Sequence, residues 1–270
     1  MTSPVASIDE LLAQARRLGV ERQDALAWLA HACGRDRAWL FAHGDEPAPP
    51  HAHAGLERLA AGEPLAHLTG WQPFHGLVLA VTPDVLIPRP DTEALVDWAL
   101  ELAPAGGRVA DLGTGSGAIA LALKAARPDL AVTATDLSPA ALAVARANGV
   151  RLGLTVDWRL GSWLAPLGGE RFDLIVSNPP YIAGHDPHLA ALTHEPLGAL
   201  TPGGDGLADL AHLAATSPMH LRPGGWLLLE HGWDQAQAVQ HLLTQAGFAD
   251  VSSQPDRAGR PRCTGGRWQG

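Results

Sequence analysis

Asn178-Pro179-Pro180-Tyr181 follows the apolar run Phe172-Asp173-Leu174-Ile175-Val176-Ser177. A residue before proline is pushed toward extended backbone, so Asn178 should project from the end of a strand. Pro179 and Pro180 have no N–H with which to begin a helix ladder, and their carbonyls stay available as acceptors. The Asn178 side-chain oxygen and the Pro179 carbonyl can then both accept from one planar –NH2 group, either an amide or an exocyclic amine. Such a nitrogen is a poor nucleophile because its lone pair is delocalised. Holding both hydrogens turns that lone pair toward an electrophile. Tyr181, the one tyrosine of the chain, can pack on a flat substrate. The plain alternative is a strand stopped by two prolines.

Upstream, Asp111-Leu112-Gly113-Thr114-Gly115-Ser116-Gly117 places three glycines at alternate positions between a strand and a helix. Glycine lets the backbone turn tightly and approach a ligand, and the helix behind offers unpaired N–H groups. The spacing is GxGxG rather than the GxGxxG of dinucleotide binders, which suits an amino-acid moiety better than a pyrophosphate. Asp136 ends the following strand, where a carboxylate can accept from both hydroxyls of a ribose. Asp136-Leu137-Ser138-Pro139 also opens a helix. Ser138 is the better cap there, which leaves Asp136 for a ligand. Together the glycines and Asp136 indicate a nucleoside ligand: S-adenosyl-L-methionine (SAM), or NAD despite the spacing.

These residues need a scaffold. The chain has 270 residues, 46% of them hydrophobic and 17% charged, which excludes wholesale disorder. A net charge of −9 disfavours phosphate backbones and anionic membranes as general partners. Cys33 and Cys263 form no CxxC pair, so a reduced cytoplasm is the expected compartment. Asp9 and Glu10 stand where a signal peptide would be basic and apolar, and no membrane span is expected. Residues 1–70 read as a helical bundle, with Ser7 capping the first helix. Residues 71–92 read as a linking β-hairpin, with Leu77–Thr82 and Val85–Ile87 as strands around a Pro83-Asp84 turn. Asp91-Thr92 then caps a helix over Glu93–Leu102. From residue 93 to 270 the fold class is α/β, doubly wound and mostly parallel. Its strands are expected at Arg108–Leu112, Ala131–Asp136, Leu154–Arg159, Phe172–Asn178, Gly225–His231, Phe248–Ser252 and Cys263–Trp268. Helices are expected at Ala118–Ala126, Pro139–Asn148, Gly206–Leu221 and Asp234–Ala246. In such sheets ligands bind at the carboxyl ends of the strands.

Gly113–Gly117, Asp136 and Asn178–Tyr181 resemble the class I SAM-dependent amino-methyltransferases that carry an NPPY motif. Three further segments narrow the resemblance: Gly62-Glu63-Pro64-Leu65, Gly70-Trp71-Gln72-Pro73-Phe74-His75-Gly76-Leu77 and Ile87-Pro88-Arg89-Pro90-Asp91-Thr92-Glu93. With these the chain resembles the peptide-chain release factor glutamine methyltransferases over nearly its whole length. The resemblance implies a Rossmann-like class I methyltransferase domain with a seven-stranded sheet over 93–270. It implies an amino-terminal substrate-recognition domain over 1–70. It implies methyl transfer from SAM to the glutamine N5 of the Gly-Gly-Gln motif in class 1 release factors, leaving S-adenosyl-L-homocysteine. A cytoplasmic monomer with no stable nucleic-acid or membrane partner is expected.

By the same resemblance Gly113, Thr114, Gly115, Ser116 and Gly117 line the methionine part of SAM. Asp136 holds the ribose and Trp163 lies near the adenine. Asn178, Pro179, Pro180 and Tyr181 form the catalytic and substrate amide pocket, with Asn178 also reaching the cofactor. Phe74 and the 87–93 segment wall the site, and Glu195 supports the loop after Tyr181. The family usually carries an acidic residue just before the tryptophan, and this chain has Ser162. No metal is implied. His185, His188 and His194 read as loop residues without a cysteine partner, and Arg257, Arg260, Arg262 and Arg267 as a solvated basic face. Two competing functions remain at this level: methylation of a nucleic-acid amine in the same pocket, and SAM binding without turnover.

Overall fold

The computed structural model describes residues 6–270; residues 1–5 of the expected helical domain lie outside it. The chain forms two compact units, the first ending at Trp71 and the second spanning Gln72–Gly270.

The first unit contains α1 (Ile8–Arg17), α2 (Arg22–Cys33), α3 (Arg37–Ala42), α4 (Pro50–Ala60) and α5 (Leu65–Thr69). Ser7 caps α1 reciprocally. Its hydroxyl accepts from Glu10 N at 3.2 Å, and its own N–H donates to the Glu10 carboxylate at 2.8 Å. Ile8, Leu11, Leu29, Leu40 and Leu56 make the core. Trp28 packs against α4 at Gly55, and its indole N–H donates to Ala52 O at 2.8 Å.

A hairpin follows, β1 (Trp71–Phe74) with β2 (Leu77–Ala80). Its position differs from the expected one. The turn is His75-Gly76, with φ of 45° and 77°, the left-handed pair that a two-residue hairpin turn requires. Residues 81–89 run on without pairing. The alternation of Leu77 to Thr82 was equally compatible with a partner on either side, and the left-handed turn selected β1.

The second unit continues with α6 (Glu93–Leu102), β3 (Arg108–Leu112), α7 (Ala118–Ala126), β4 (Ala131–Asp136), α8 (Pro139–Leu152), β5 (Asp157–Leu160) and β6 (Phe172–Ser177). After these come α9 (Ala208–Thr216), β7 (Leu221–Glu230), α10 (Ala236–Gln245), β8 (Ala249–Pro255) and β9 (Pro261–Arg267). The seven-stranded sheet has the order β5-β4-β3-β6-β7-β9-β8, with β9 antiparallel to both its neighbours. This is the class I methyltransferase fold. Alternate residues of the central strands feed two cores. Val109, Val132, Leu174, Val176 and Leu228 face α6 and α7, while Ala110, Leu112, Ile175, Leu227 and Leu229 face α9 and α10.

Two helix ends differ from expectation for local reasons. α8 passes through Gly149, whose missing side chain admits Trp158 and the Leu154 carbonyl. It stops at Gly153, which takes the left-handed cap at φ 67°. The following strand therefore begins late, at Asp157. α9 stops at Thr216 and a 3-10 turn covers Ser217–His220, because Pro218 has no N–H with which to continue the α9 hydrogen-bond ladder.

A methyl group at Gly55 would overlap the Trp28 indole, whose position is set by its bond to Ala52. Gly55→Ala should destabilise the amino-terminal unit by about 1–3 kcal/mol, read as a lower urea midpoint by far-UV circular dichroism. An unchanged midpoint would show that the helices move apart without cost.

Candidate active site

β3 and β6 are parallel neighbours, and the pairing ends with Leu112 opposite Ser177. The glycine loop and Asn178 therefore leave the sheet side by side. β4 flanks β3 on its other side with Thr135 opposite Leu112, which brings Asp136 to the same edge. The Thr135 carbonyl accepts from both Gly113 N and Thr114 N at 2.9 Å and shapes the start of the loop. A cavity of about 530 Å3 opens there, within the size range of small-ligand sites. Gly113, Gly115, Asp136, Trp163, Asn178 and Pro180 border it, together with Val85, Leu86 and Ser162.

The glycines do different work. At Gly113 a Cβ would come within 2.9 Å of Trp163, so only glycine lets the indole cover the loop. At Gly115 the space beyond is open and φ is 55°. Trp163 itself has a φ of 46°, uncommon for a large side chain. Its carbonyl accepts from the Thr135 hydroxyl at 2.8 Å, which holds the backbone in that form.

Asp136 is less available than the sequence suggests. Ser138 does cap α8, its hydroxyl accepting from Ala141 N at 3.2 Å. Yet one Asp136 oxygen accepts from Gly115 N and the other from Ser138 N, each at 2.8 Å. The carboxylate is thus oriented by backbone donors, with remaining lone pairs for a ligand.

Thr114 and Ser116 are buried rather than at the cavity, and Thr114 donates to Asp111 at 2.6 Å. Gly117 begins α7. Pro179 is buried behind Asn178, and Tyr181 is partly buried with its hydroxyl donating to Glu230 at 3.2 Å. Phe74 is enclosed in the core rather than lining the cavity. Glu195 accepts from Ile87 N at 2.8 Å and pairs with Arg89, tying the 87–89 segment to the loop after Tyr181.

The sequence reading missed the contacts that two residues make. Thr92 was expected to cap α6. Its side chain makes no cap bond, is buried, and accepts from Asn178 Nδ2 at 3.3 Å. Glu230 closes the apolar run of β7 in full burial, and an acid at the carboxyl end of such a strand was the available signal. Arg262 also departs from expectation. It is buried and pairs with Asp91 at 3.0 Å and Asp256 at 3.3 Å, so it is not part of a solvated face.

Asp111 lies beneath the glycine loop in complete burial. Desolvation pushes its carboxyl up to about 7, against the opposing bonds from Thr114 and Ala120 N and with the added repulsion of Asp136.

The chain matches the family model described as Methyltransferase small domain over residues 91–208, and that of the PrmC N-terminal domain over 6–70. It is 52% identical to the release factor glutamine methyltransferase of Bordetella pertussis, across 92% of this chain and 95% of that one. It is also 52% identical to that of Xylella fastidiosa (strain Temecula1), across the full length of both. A methyltransferase structure from Pyrococcus furiosus superposes with a TM-score of 0.56 at 19% identity, covering 80% of this chain and 98% of that one; it speaks for the fold alone.

Because the folded state holds the Asp111 proton to higher pH than an unfolded carboxyl, its contribution to stability is complete below about pH 4 and is lost as pH rises through about 7. Asp111→Asn removes that loss. From about pH 5 to about pH 8 the Tm of the variant should rise relative to wild type, and parallel profiles would show that Asp111 does not titrate in this range.

Proposed function

The chain belongs to the release factor glutamine methyltransferase family, and from that premise we propose that its methyl transfer takes place in the cavity at the carboxyl ends of β3, β4 and β6. The protein is a methyltransferase that acts on release factor glutamine. The donor in this reading is SAM, and the acceptor is the N5 amide nitrogen of the Gly-Gly-Gln motif in class 1 release factors. The product is S-adenosyl-L-homocysteine. The observation that carries the reading is that Gly113, Gly115, Asp136, Trp163, Asn178 and Pro180, named for two different ligands, border one cavity.

The residues present suit a SAM-sized group. Open space over Gly115 admits a ligand close to the backbone. Asp136 is oriented for ribose hydroxyls, and the Trp163 ring offers a flat face to the adenine. Ser162 lines the cavity without the carboxylate usual in the family, so the adenine amine relies on other contacts. When bound, SAM supplies a methyl group made electrophilic by its sulfonium.

The chain's own part is positioning. The Asn178 oxygen and the Pro179 carbonyl accept the two amide hydrogens of the substrate, which fixes the plane of the amide and turns the nitrogen lone pair toward the methyl. Pro180 and Tyr181 exclude water from the acceptor. Alignment and desolvation provide the acceleration. No general base is needed, because the nitrogen becomes strongly acidic as it gains the methyl, and its proton leaves late, to water, once the transfer is complete. No described helix is long and apolar enough to cross a membrane. We read the protein as a cytoplasmic monomer whose helical unit grips a part of the release factor away from the glutamine loop.

Labelled SAM offered with purified release factor, its loop Gln→Ala variant and duplex DNA should label the native factor alone. Label on DNA, or equal label on the loop variant, would overturn the substrate. Asn178→Ala should lower methylation by at least about 100-fold while leaving SAM affinity intact, as expected when acceptor alignment is lost. A chain starting near Trp71 that folds yet methylates the full-length factor at the normal rate would remove the role given to the helical unit.

A further inference from the structure

Glu230 ends β7 at the carboxyl edge of the sheet, is 1% exposed, and has an oxygen, Oε2, with no hydrogen-bond partner. A buried carboxyl in that condition calls for a reason, since an apolar residue would cost nothing to bury. The groups around it supply one. The Tyr181 hydroxyl, from the loop after β6, donates to Oε1 at 3.2 Å. The Thr92 hydroxyl, from the turn before α6, lies against the carboxyl, with Asp91 beside it. From β9 come Arg262, itself paired with Asp91 and Asp256, and Cys263. His231, next in the chain, is turned to Gly232 O and the Thr264 hydroxyl. Burial pushes the Glu230 carboxyl up to about 7, opposed by Thr92, Arg262 and Tyr181.

The hydroxyl of Thr92 connects this carboxyl to the amide pocket. It accepts from Asn178 Nδ2 at 3.3 Å and has no duty as a helix cap. A hydroxyl carries one hydrogen, and Thr92 can accept from Asn178 only while that hydrogen points elsewhere. A carboxylate has no hydrogen to give and takes only donors. Glu230, beside Thr92 and with Oε2 unpartnered, can accept the Thr92 hydrogen. The Thr92 lone pair is left facing Asn178, the –NH2 end of the Asn178 amide turns inward, and its oxygen is the end left for a substrate.

We propose that Glu230 is a positioning residue that sets the hydrogen-bond polarity of the amide pocket, acting through Thr92 on the side-chain amide of Asn178 and directly on Tyr181. The proposal rests on the reading of Asn178 as the residue that holds the substrate amide. A glutamine at 230 can turn its –NH2 toward Thr92. The Thr92 hydrogen then points at Asn178, the Asn178 amide reverses, and a donor meets the donors of the substrate. A protonated Glu230 permits the same reversal, so the rate should rise with pH as Glu230 ionises.

The test is single-turnover methylation of release factor by full-length wild type, Glu230→Gln, Thr92→Val, Thr92→Ser and Asn178→Ala across pH, with SAM affinity measured by calorimetry. Glu230→Gln and Thr92→Val should each lose about 100-fold in rate with SAM affinity kept, the loss typical of a misaligned reactant. Glu230→Gln should also lose the rise of rate with pH. Thr92→Ser, which keeps the hydroxyl, should recover most of the rate lost in Thr92→Val. A Glu230→Gln enzyme with the wild-type rate and pH profile overturns the relay, provided that Asn178→Ala is inactive in the same assay. Full activity of Asn178→Ala, or no label from wild type, instead overturns the reading of Asn178 on which the relay stands.

Discussion

Leu112 and Ser177 stand opposite one another at the ends of β3 and β6, and the Ser177 hydroxyl donates to the Leu112 carbonyl at 2.7 Å. That pairing is the constraint on which the site depends. The chain leaves β3, builds β4 and β5 to one side, and returns to place β6 on the other. Between β3 and β6 the connections diverge to opposite sides, and a crevice is left at the carboxyl edge. The glycine loop and Asn178 open into it from adjacent strands, with Asp136 one strand further on. A shift of one residue in the β3–β6 register would send Asn178 to the other face of the sheet, away from the glycine loop.

The crevice is built around groups that are costly to bury. Asp111 and Glu230 are both fully enclosed beneath it, and burial raises both carboxyls to about 7. Asp111 accepts from Thr114 and from Ala120 N, which links the glycine loop to the first turn of α7. Glu230 touches the residues behind Asn178. Each carboxyl thus orients a wall of the cavity, and the low dielectric that makes it costly also strengthens the hydrogen bonds it makes.

Buried polar side chains also hold the surrounding segments. Asn148 of α8 accepts from Ala80 N and donates to both Ala80 O and Ser116 O, so one amide fastens β2 and the glycine loop to the same helix. Glu195 joins the residue 87–89 segment to the loop beyond Tyr181. The segments after the hairpin and after β6 have little regular structure, and such contacts hold them where ladder hydrogen bonds do not.

Much of the molecule was legible in the residues alone. The apolar runs Arg108–Leu112 and Ala131–Asp136 are buried on both faces and stop at charged or glycine residues, so their limits match the expected ones. Ser7 and Ser138 announced their helices because capping is local chemistry. The glycine spacing, Asp136 and Asn178 pointed to residues that border one cavity, because βα turns and X-Pro pairs constrain the backbone within a few residues. Other features depended on partners distant in sequence. The hairpin paired with residues before it rather than after it, since alternation marks a strand without naming its partner. Thr92 looked like a cap because its neighbours in sequence are those of a helix start, but Asn178, 86 positions away, took its hydroxyl. Arg262 looked solvated in an arginine-rich tail and was enclosed by acids from other elements. Residue types and short-range spacing determined most of the elements and where their turns would fall. The packing of strands far apart in sequence decided which hydroxyl, carboxyl or amide each functional side chain would meet, because burial forces every polar group to find a partner wherever the fold places one.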